Sequence, residues 1–220
     1  MTLLTGPRLD PPHGRAASAL VVLLHGYGAD ERDLAELVPY LPGHYRYASL
    51  RAPEPVPGMP GHQWFSLRWL PGPAGPTLDT SAEAEAALNR EVTAAARDLL
   101  DRIAALGAER VAFIGFSQGA VAGMQAWRLD PDRFVCGVVL SGFVASGEVA
   151  GDAVLAERRP PVFWGRGDAD PVIPQAAIEF AGPWLDAHTT LERLVIPGAG
   201  HEVTFPELNA VAHFLDAQLH

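Results

Sequence analysis

Five residues, Gly115-Phe116-Ser117-Gln118-Gly119, set a serine between two glycines at the junction of two apolar segments. Val111-Ala112-Phe113-Ile114 before them reads as a buried strand, and Ala120 to Trp127 after them reads as a helix packed through small residues. Between a strand and a helix, G-x-S-x-G makes a sharp, strained turn that exposes the serine oxygen at the end of the sheet. The positive end of the new helix's dipole points at that oxygen. The chemistry this suggests is nucleophilic attack by Ser117.

A serine alcohol is a weak nucleophile near neutral pH. It needs a base, and the base needs an acid to orient it. In this setting the partners are expected later in the chain, in the order Ser, Asp, His. Pro161 to Gly165 reads as a short buried strand running into the polar loop Arg166-Gly167-Asp168-Ala169-Asp170-Pro171-Val172-Ile173-Pro174. Leu191 to Ile196 alternates like a strand and leads into Pro197-Gly198-Ala199-Gly200-His201-Glu202. Thr204-Phe205-Pro206-Glu207 then opens a helix with a capping-box pattern. The expected set is Ser117, Asp170 and His201. Asp168 is a rival acid, but Asp170 is followed by Pro-Val-Ile-Pro, which stiffens its backbone. Asp168 is expected to cap its own turn. His13, His44, His62, His188, His213 and His220 fall in loops or on helix surfaces without metal-ligand spacing. No metal or cofactor is expected.

Acyl transfer also needs donors aimed at the oxyanion, and losing one costs a factor of about a hundred to a thousand. The amide after the nucleophile, that of Gln118, is one candidate. The other is Tyr27, in His25-Gly26-Tyr27-Gly28, which follows the apolar strand Ala19 to Leu24.

These groups must be held by a scaffold. Short apolar runs near residues 19–24, 45–50, 110–115, 134–141, 161–165 and 191–196 alternate with helical segments, which implies βα units and a mainly parallel sheet. A helix is expected from Asp30, carrying Leu34, Leu37, Val38 and Leu41. The longest helix follows the capping-box pattern Thr80-Ser81-Ala82-Glu83, presents Leu88, Val92, Leu99, Ile103 and Leu106, and stops at Gly107. The last helix puts Leu208, Val211, Leu215 and Leu219 on one face. Residues 51–80 form a Pro- and Gly-rich stretch containing Trp64, Phe65 and Trp69. Trp64, Phe65 and Phe143 are expected either to line an apolar substrate pocket or to cover the sheet edge.

A chain of 220 residues fits one domain, 1–220, with a full core. The net charge of -10 argues against nucleic acid and against anionic membrane surfaces. All sixteen basic residues are arginine and are scattered. The single cysteine, Cys136, lies in an apolar run, so no internal disulfide is possible. No segment approaches the roughly 18 apolar residues of a spanning helix, and no signal-like N-terminus is evident; a cytoplasmic location is expected.

Taken together, His25-Gly26-Tyr27-Gly28-Ala29-Asp30, Arg51-Ala52-Pro53, Gln63-Trp64-Phe65, the Ser117 motif, Asp170-Pro171-Val172-Ile173-Pro174 and Gly198-Ala199-Gly200-His201-Glu202 resemble the phospholipase/carboxylesterase family, which includes acyl-protein thioesterases. The resemblance runs from about residue 18 to the end. It implies an α/β-hydrolase fold, a mainly parallel twisted sheet with helices on both faces and little or no cap domain. It also implies cofactor-free ester or thioester hydrolysis, with Ser117 as nucleophile, Asp170 as acid, His201 as base and the amides of Tyr27 and Gln118 as oxyanion donors. Members typically carry leucine where this chain has Tyr27. The expected substrates are carboxylic esters of short to medium acyl chain; acyl-protein thioesters and lysophospholipids are the alternatives. A non-catalytic binding module is the reading from another class. A homodimer is compatible with all of these.

Overall fold

Leu20, Val22 and Leu24 point to one side of a strand and Ala19, Val21 and Leu23 to the other, and both sets are buried. A strand apolar on both faces belongs inside a sheet covered on both sides. The computed structural model, which describes residues 5–9, 19–71, 77–79 and 81–219, has that arrangement. Its main sheet contains β1 (Thr5–Leu9), β2 (Leu20–Leu24), β3 (Arg46–Leu50), β4 (Val111–Phe116), β5 (Cys136–Leu140), β6 (Pro161–Gly167) and β7 (Thr190–Ile196). Their spatial order is β1-β3-β2-β4-β5-β6-β7. All neighbours pair parallel except β1, which runs antiparallel to β3 along one edge.

One face is covered by α1 (Ala82–Ala104), α2 (Gln118–Leu129) and α4 (Gln175–His188), with the short α3 (Asp152–Arg158) beside them. The other is covered by a 3-10 helix (Leu34–Tyr40) and α5 (Phe205–Leu219). Each fully buried Leu, Ile or Phe contributes about 1.5–3 kcal/mol of transfer free energy. The two clusters therefore fix the sheet, and with it the strand ends that carry the loops.

The six expected strands form within two residues of their expected bounds. Three details differ. The segment Thr5–Leu9 adds an edge strand that its unpatterned residues did not announce, and Pro7 is tolerated there because an edge strand has a free side. The helix expected from Asp30 is a 3-10 helix beginning at Leu34. The Asp30 carboxylate accepts the Arg32 amide at 2.8 Å, making a turn instead, and Pro39 lacks the N–H an α-helix would use. The cap of α1 is Ser81, whose hydroxyl accepts from the Ala84 amide at 3.3 Å; Thr80, the first residue of the expected box, lies outside the described residues. His13, His220 and the Trp69 side chain lie outside them as well.

The box at α5 forms as expected. The Glu207 amide donates to Thr204 Oγ1 at 3.4 Å and the Thr204 amide donates to Glu207 Oε2 at 3.3 Å. Glu207 is 1 % exposed and faces Gly165 of β6, where any Cβ would lie 2.2 Å from its Oε1. Burial pushes its carboxyl up to about 7. Unfolded, Glu207 releases its proton near the ordinary 4.5; folded, it holds the proton to about 7. Between those values the folded state binds the extra proton, so this group's stabilisation is full below 4.5 and is lost as pH rises through 7. Glu207→Gln keeps an acceptor for Thr204 and removes the titration. Chemical denaturation should find it more stable than the parent by about 2–3 kcal/mol at pH 8, with the difference shrinking towards pH 4.5.

Candidate active site

β4 ends at Phe116 and α2 begins at Gln118, leaving one residue to reverse the chain. That residue, Ser117, has φ 52 and ψ -120, a conformation that L-residues avoid. The flanking glycines are required by close approach. A Cβ at Gly119 would lie 2.1 Å from the Leu24 carbonyl oxygen, and one at Gly115 would lie 2.4 Å from Ala120 Cα. The Ser117 amide donates to the Leu140 carbonyl at 2.8 Å, which ties the turn to β5.

From there a chain of hydrogen bonds leads away. His201 Nε2 lies 2.9 Å from Ser117 Oγ, and His201 Nδ1 lies 2.7 Å from Asp170 Oδ2. With the imidazole proton on Nδ1, the ring donates to the carboxylate and accepts from the serine hydroxyl. The other Asp170 oxygen accepts the amides of Val172 and Ile173 at 2.8 and 3.2 Å, so the carboxylate is held from both sides. The His201 and Asp170 side chains are 17 % and 8 % exposed, and the Phe116 ring lies 4.9 Å from the imidazole. Three residues far apart in sequence thus converge at the ends of β4, β6 and β7. Such a chain can draw a proton from the serine as its oxygen attacks.

Asp168 is not part of it. Its carboxylate accepts the Gly198 amide at 2.6 Å, joining the loop after β6 to the loop that carries His201. The turn it was expected to cap is its own; it caps its neighbour's.

Gln118 is the first residue of α2, where amides have no partner within the helix. The loop after β2 passes alongside, since a Cβ at Gly26 would stand 3.5 Å from Ser117 Cβ. This brings the segment bearing Tyr27 next to the serine turn. The Gln118 side chain has a separate use. Its Oε1 accepts the Trp64 amide at 2.8 Å and its Nε2 donates to the Phe65 carbonyl at 2.6 Å.

Trp64 and Phe65 are 2 % and 3 % exposed and belong to the core. Neither lines the apolar cavity described below. Trp64 Nε1 donates to the His25 carbonyl at 2.9 Å. His25 itself, fully buried, accepts the Ala52 amide at Nε2 (2.9 Å) and bonds the Gly26 carbonyl through Nδ1 (2.7 Å). Burial holds its pKa below the usual 6.5, which suits a ring that must stay neutral to accept at Nε2. Further along, the Gly28 amide donates to the His62 carbonyl and the His62 amide to the Ala29 carbonyl. The aromatic stretch is therefore a strap that fixes residues 25–29. Sequence reasoning missed the role of His25, whose only signal was its position at the end of β2.

Phe143 differs. With Leu78, Ala84, Leu88, Val144 and Phe180 it walls an apolar cavity of about 180 Å³. The loop bearing Phe143 leaves β5 at Ser141-Gly142, and a Cβ at Gly142 would lie 3.3 Å from the Ser117 carbonyl oxygen. The loop that carries Phe143 thus adjoins the serine turn.

The profile of the family described as Phospholipase/Carboxylesterase matches residues 11–219. The crystal structure of esterase PE8 superimposes with a TM-score of 0.80 at 28% identity, covering 99% of this chain and 100% of that one. A carboxylesterase of Bacillus cereus shares the fold at 20% identity, with a TM-score of 0.71 over 96% of this chain and 93% of that one. SOBER1 of Arabidopsis thaliana does so at 23% identity, with a TM-score of 0.68 over 92% and 99%. The fold is that of the α/β-hydrolases. Among the described residues no helix is long and apolar enough to cross a membrane.

The backbone at position 117 makes a prediction independent of any substrate. Glycine accommodates positive φ, whereas alanine keeps the strain. Ser117→Gly should exceed Ser117→Ala in unfolding free energy by about 1 kcal/mol, read from urea titrations of the two variants.

Proposed function

The chain belongs to the phospholipase/carboxylesterase family, and on that premise we propose that it is a serine hydrolase cleaving carboxylic esters of short to medium acyl chain. The observation that carries this reading is the hydrogen-bond chain from Ser117 through His201 to Asp170, starting at a strained serine on a helix N-terminus.

In the proposed mechanism, Ser117 Oγ attacks the ester carbonyl carbon while His201 Nε2 takes its proton. Asp170 keeps the imidazole in the tautomer with the proton on Nδ1 and stabilises the cation that forms. The amides of Tyr27 and Gln118 donate to the oxyanion, helped by the dipole of α2. His201 then protonates the leaving alcohol, giving an acyl-enzyme. A water molecule, deprotonated by His201, attacks that acyl carbon and releases the acid and the free serine.

Cavity size supports the acyl-length assignment. An apolar cavity of about 150 Å³ takes up benzene, so one of about 180 Å³ suits an acyl group of roughly six carbons. Acyl-protein thioesters and lysophospholipids stand behind small esters in this reading because the net charge of -10 gives no reason to favour membrane lipids. A cytoplasmic small-molecule ester is the proposed substrate.

The test is hydrolysis of p-nitrophenyl esters from acetate to palmitate. The rate should peak between about four and eight carbons, and Ser117→Ala should lower kcat at least 10⁴-fold, on the order of the losses known for serine nucleophiles. Ala177→Phe, which fills part of the cavity wall, should move the optimum to shorter chains. An optimum at palmitate would favour the long-chain alternatives. Activity that survives Ser117→Ala would overturn the mechanism.

A further inference from the structure

Behind Asp170 lies a second, much smaller cavity of about 30 Å³, walled by Ser141, Arg166, Gly167, Asp168, Asp170 and Ile173 among others. Two of these residues bring polar atoms that have no partner within the protein. Ser141 is 1 % exposed and its Oγ is unbonded. Arg166 has a buried Nε–H without an acceptor, although another of its nitrogens donates to the Gly167 carbonyl at 3.0 Å. Leaving a buried donor or acceptor unpaired costs about 1–3 kcal/mol, so two in one small space call for a shared partner.

Ser141 has a further peculiarity. Its φ is 44, in the left-handed region, at a position where glycine would serve without strain. The strain is sustained from both sides: the Ser141 amide donates to the Gly165 carbonyl at 2.8 Å, and the preceding Leu140 carbonyl accepts from Ser117. A serine at such a site is explained if its hydroxyl has a use. The next residue's carbonyl is also held, by Trp164 Nε1 at 3.0 Å.

We propose that this cavity holds one bound water, shared by Ser141 Oγ, Arg166 Nε and the Asp170 carboxylate, and that Ser141 and Arg166 are positioning residues for Asp170. A water needs about 10–15 Å³ of probe volume and two to four polar partners, and this site supplies both. Nε donates to the water, the water donates to the carboxylate, and the Ser141 hydroxyl completes its coordination. The guanidinium charge thereby reaches the acid through one bridge. The charged groups around Asp170 are Arg166 from β6, Asp168 from the same loop and His201 from the loop after β7. The amides of Val172 and Ile173 hold one carboxylate oxygen and His201 the other; the water restrains the group from its remaining side.

This inference rests on the serine-hydrolase reading, and two measurements separate their failures. The first needs no activity: a crystal structure of the unliganded protein at about 1.5 Å or better should show a single density peak within hydrogen-bond distance of Ser141 Oγ, Arg166 Nε and an Asp170 oxygen. No peak there overturns the proposal whatever the enzyme does. The second applies once Ser117→Ala has been shown to abolish ester hydrolysis. Ser141→Ala, which keeps the backbone strain but removes the hydroxyl, should lower kcat roughly 3–10-fold with KM unchanged. It should also shift the acidic limb of the kcat/KM profile to lower pH, because a loosely held Asp170 stabilises the His201 cation less well. Arg166→Met should lower kcat at unchanged KM too, and serves as the second variant should Ser141→Ala fold poorly. Unaltered kcat and pH profile in a folded variant would overturn the positioning role.

Discussion

The backbone of Ser117 is held where an L-residue would not go by itself, and the rest of the molecule is arranged to keep it there. A conformation of this kind costs about 1–3 kcal/mol and persists only where its surroundings over-determine it. Here the surroundings are the centre of the sheet and the most buried helix. β4 pairs with β2 and β5 on either side, and most of α2 is buried. The helix can approach β2 only because position 119 has no side chain, and its burial supplies the free energy that offsets the strained turn. Relaxing Ser117 would mean lifting α2 off the sheet.

Around that fixed point the loops are joined by polar contacts as well as by packing. Gln118 grips the 64–65 segment, that segment grips His25, and His25 grips Ala52 and Gly26. On the other side Asp168 grips Gly198, which binds the acid loop to the histidine loop. Each such bond is worth only about 1 kcal/mol net, but each removes a degree of freedom from a group that must stay placed to within a fraction of an ångström. Preorganised donors stabilise developing charge without reorganising at the moment of reaction. The loop of Pro, Gly and aromatics is held to residues 25 and 118 by these bonds.

Much of this was legible in the sequence because it rests on strong local rules. Strands buried on both faces read as apolar runs, and the loops at their ends carry Ser117, Asp170 and His201 in the expected order. The capping box at Thr204 and Glu207 formed because its two residues satisfy each other's amides without outside help. What escaped the sequence depended on partners distant along the chain. The edge strand Thr5–Leu9 is defined by β3, not by its own residues. The 3-10 helix was decided by a side-chain turn at Asp30 and by Pro39. Trp64 and Phe65 could have faced a substrate or the core, and only the long-range grip of Gln118 and His25 put them in the core. Asp168 could have served its own turn, and the approach of Gly198 redirected it.

Helix α2 also ties the Ser117 turn to the loop that walls the apolar cavity. Its N-terminus presents Ser117; near its C-terminus Arg128 is completely buried, which would be costly for an unpaired charge. All five N–H donors of its guanidinium are engaged. Nε and one terminal nitrogen bind the two oxygens of Asp152 at 2.8 and 2.7 Å, and the remaining N–H groups reach Gln125 Oε1 and the carbonyls of Ala145 and Gly147. Those carbonyls flank Ser146, which lines the cavity and accepts from Asn89 of α1 at 2.9 Å. One wall of the cavity is thus referenced to the same helix that fixes Ser117. Lysine offers three donors from a point charge and cannot span this set, whereas the planar five-donor fork can. One rigid helix thus fixes both the Ser117 turn at its start and, through Arg128, the loop bearing Ser146 at its end.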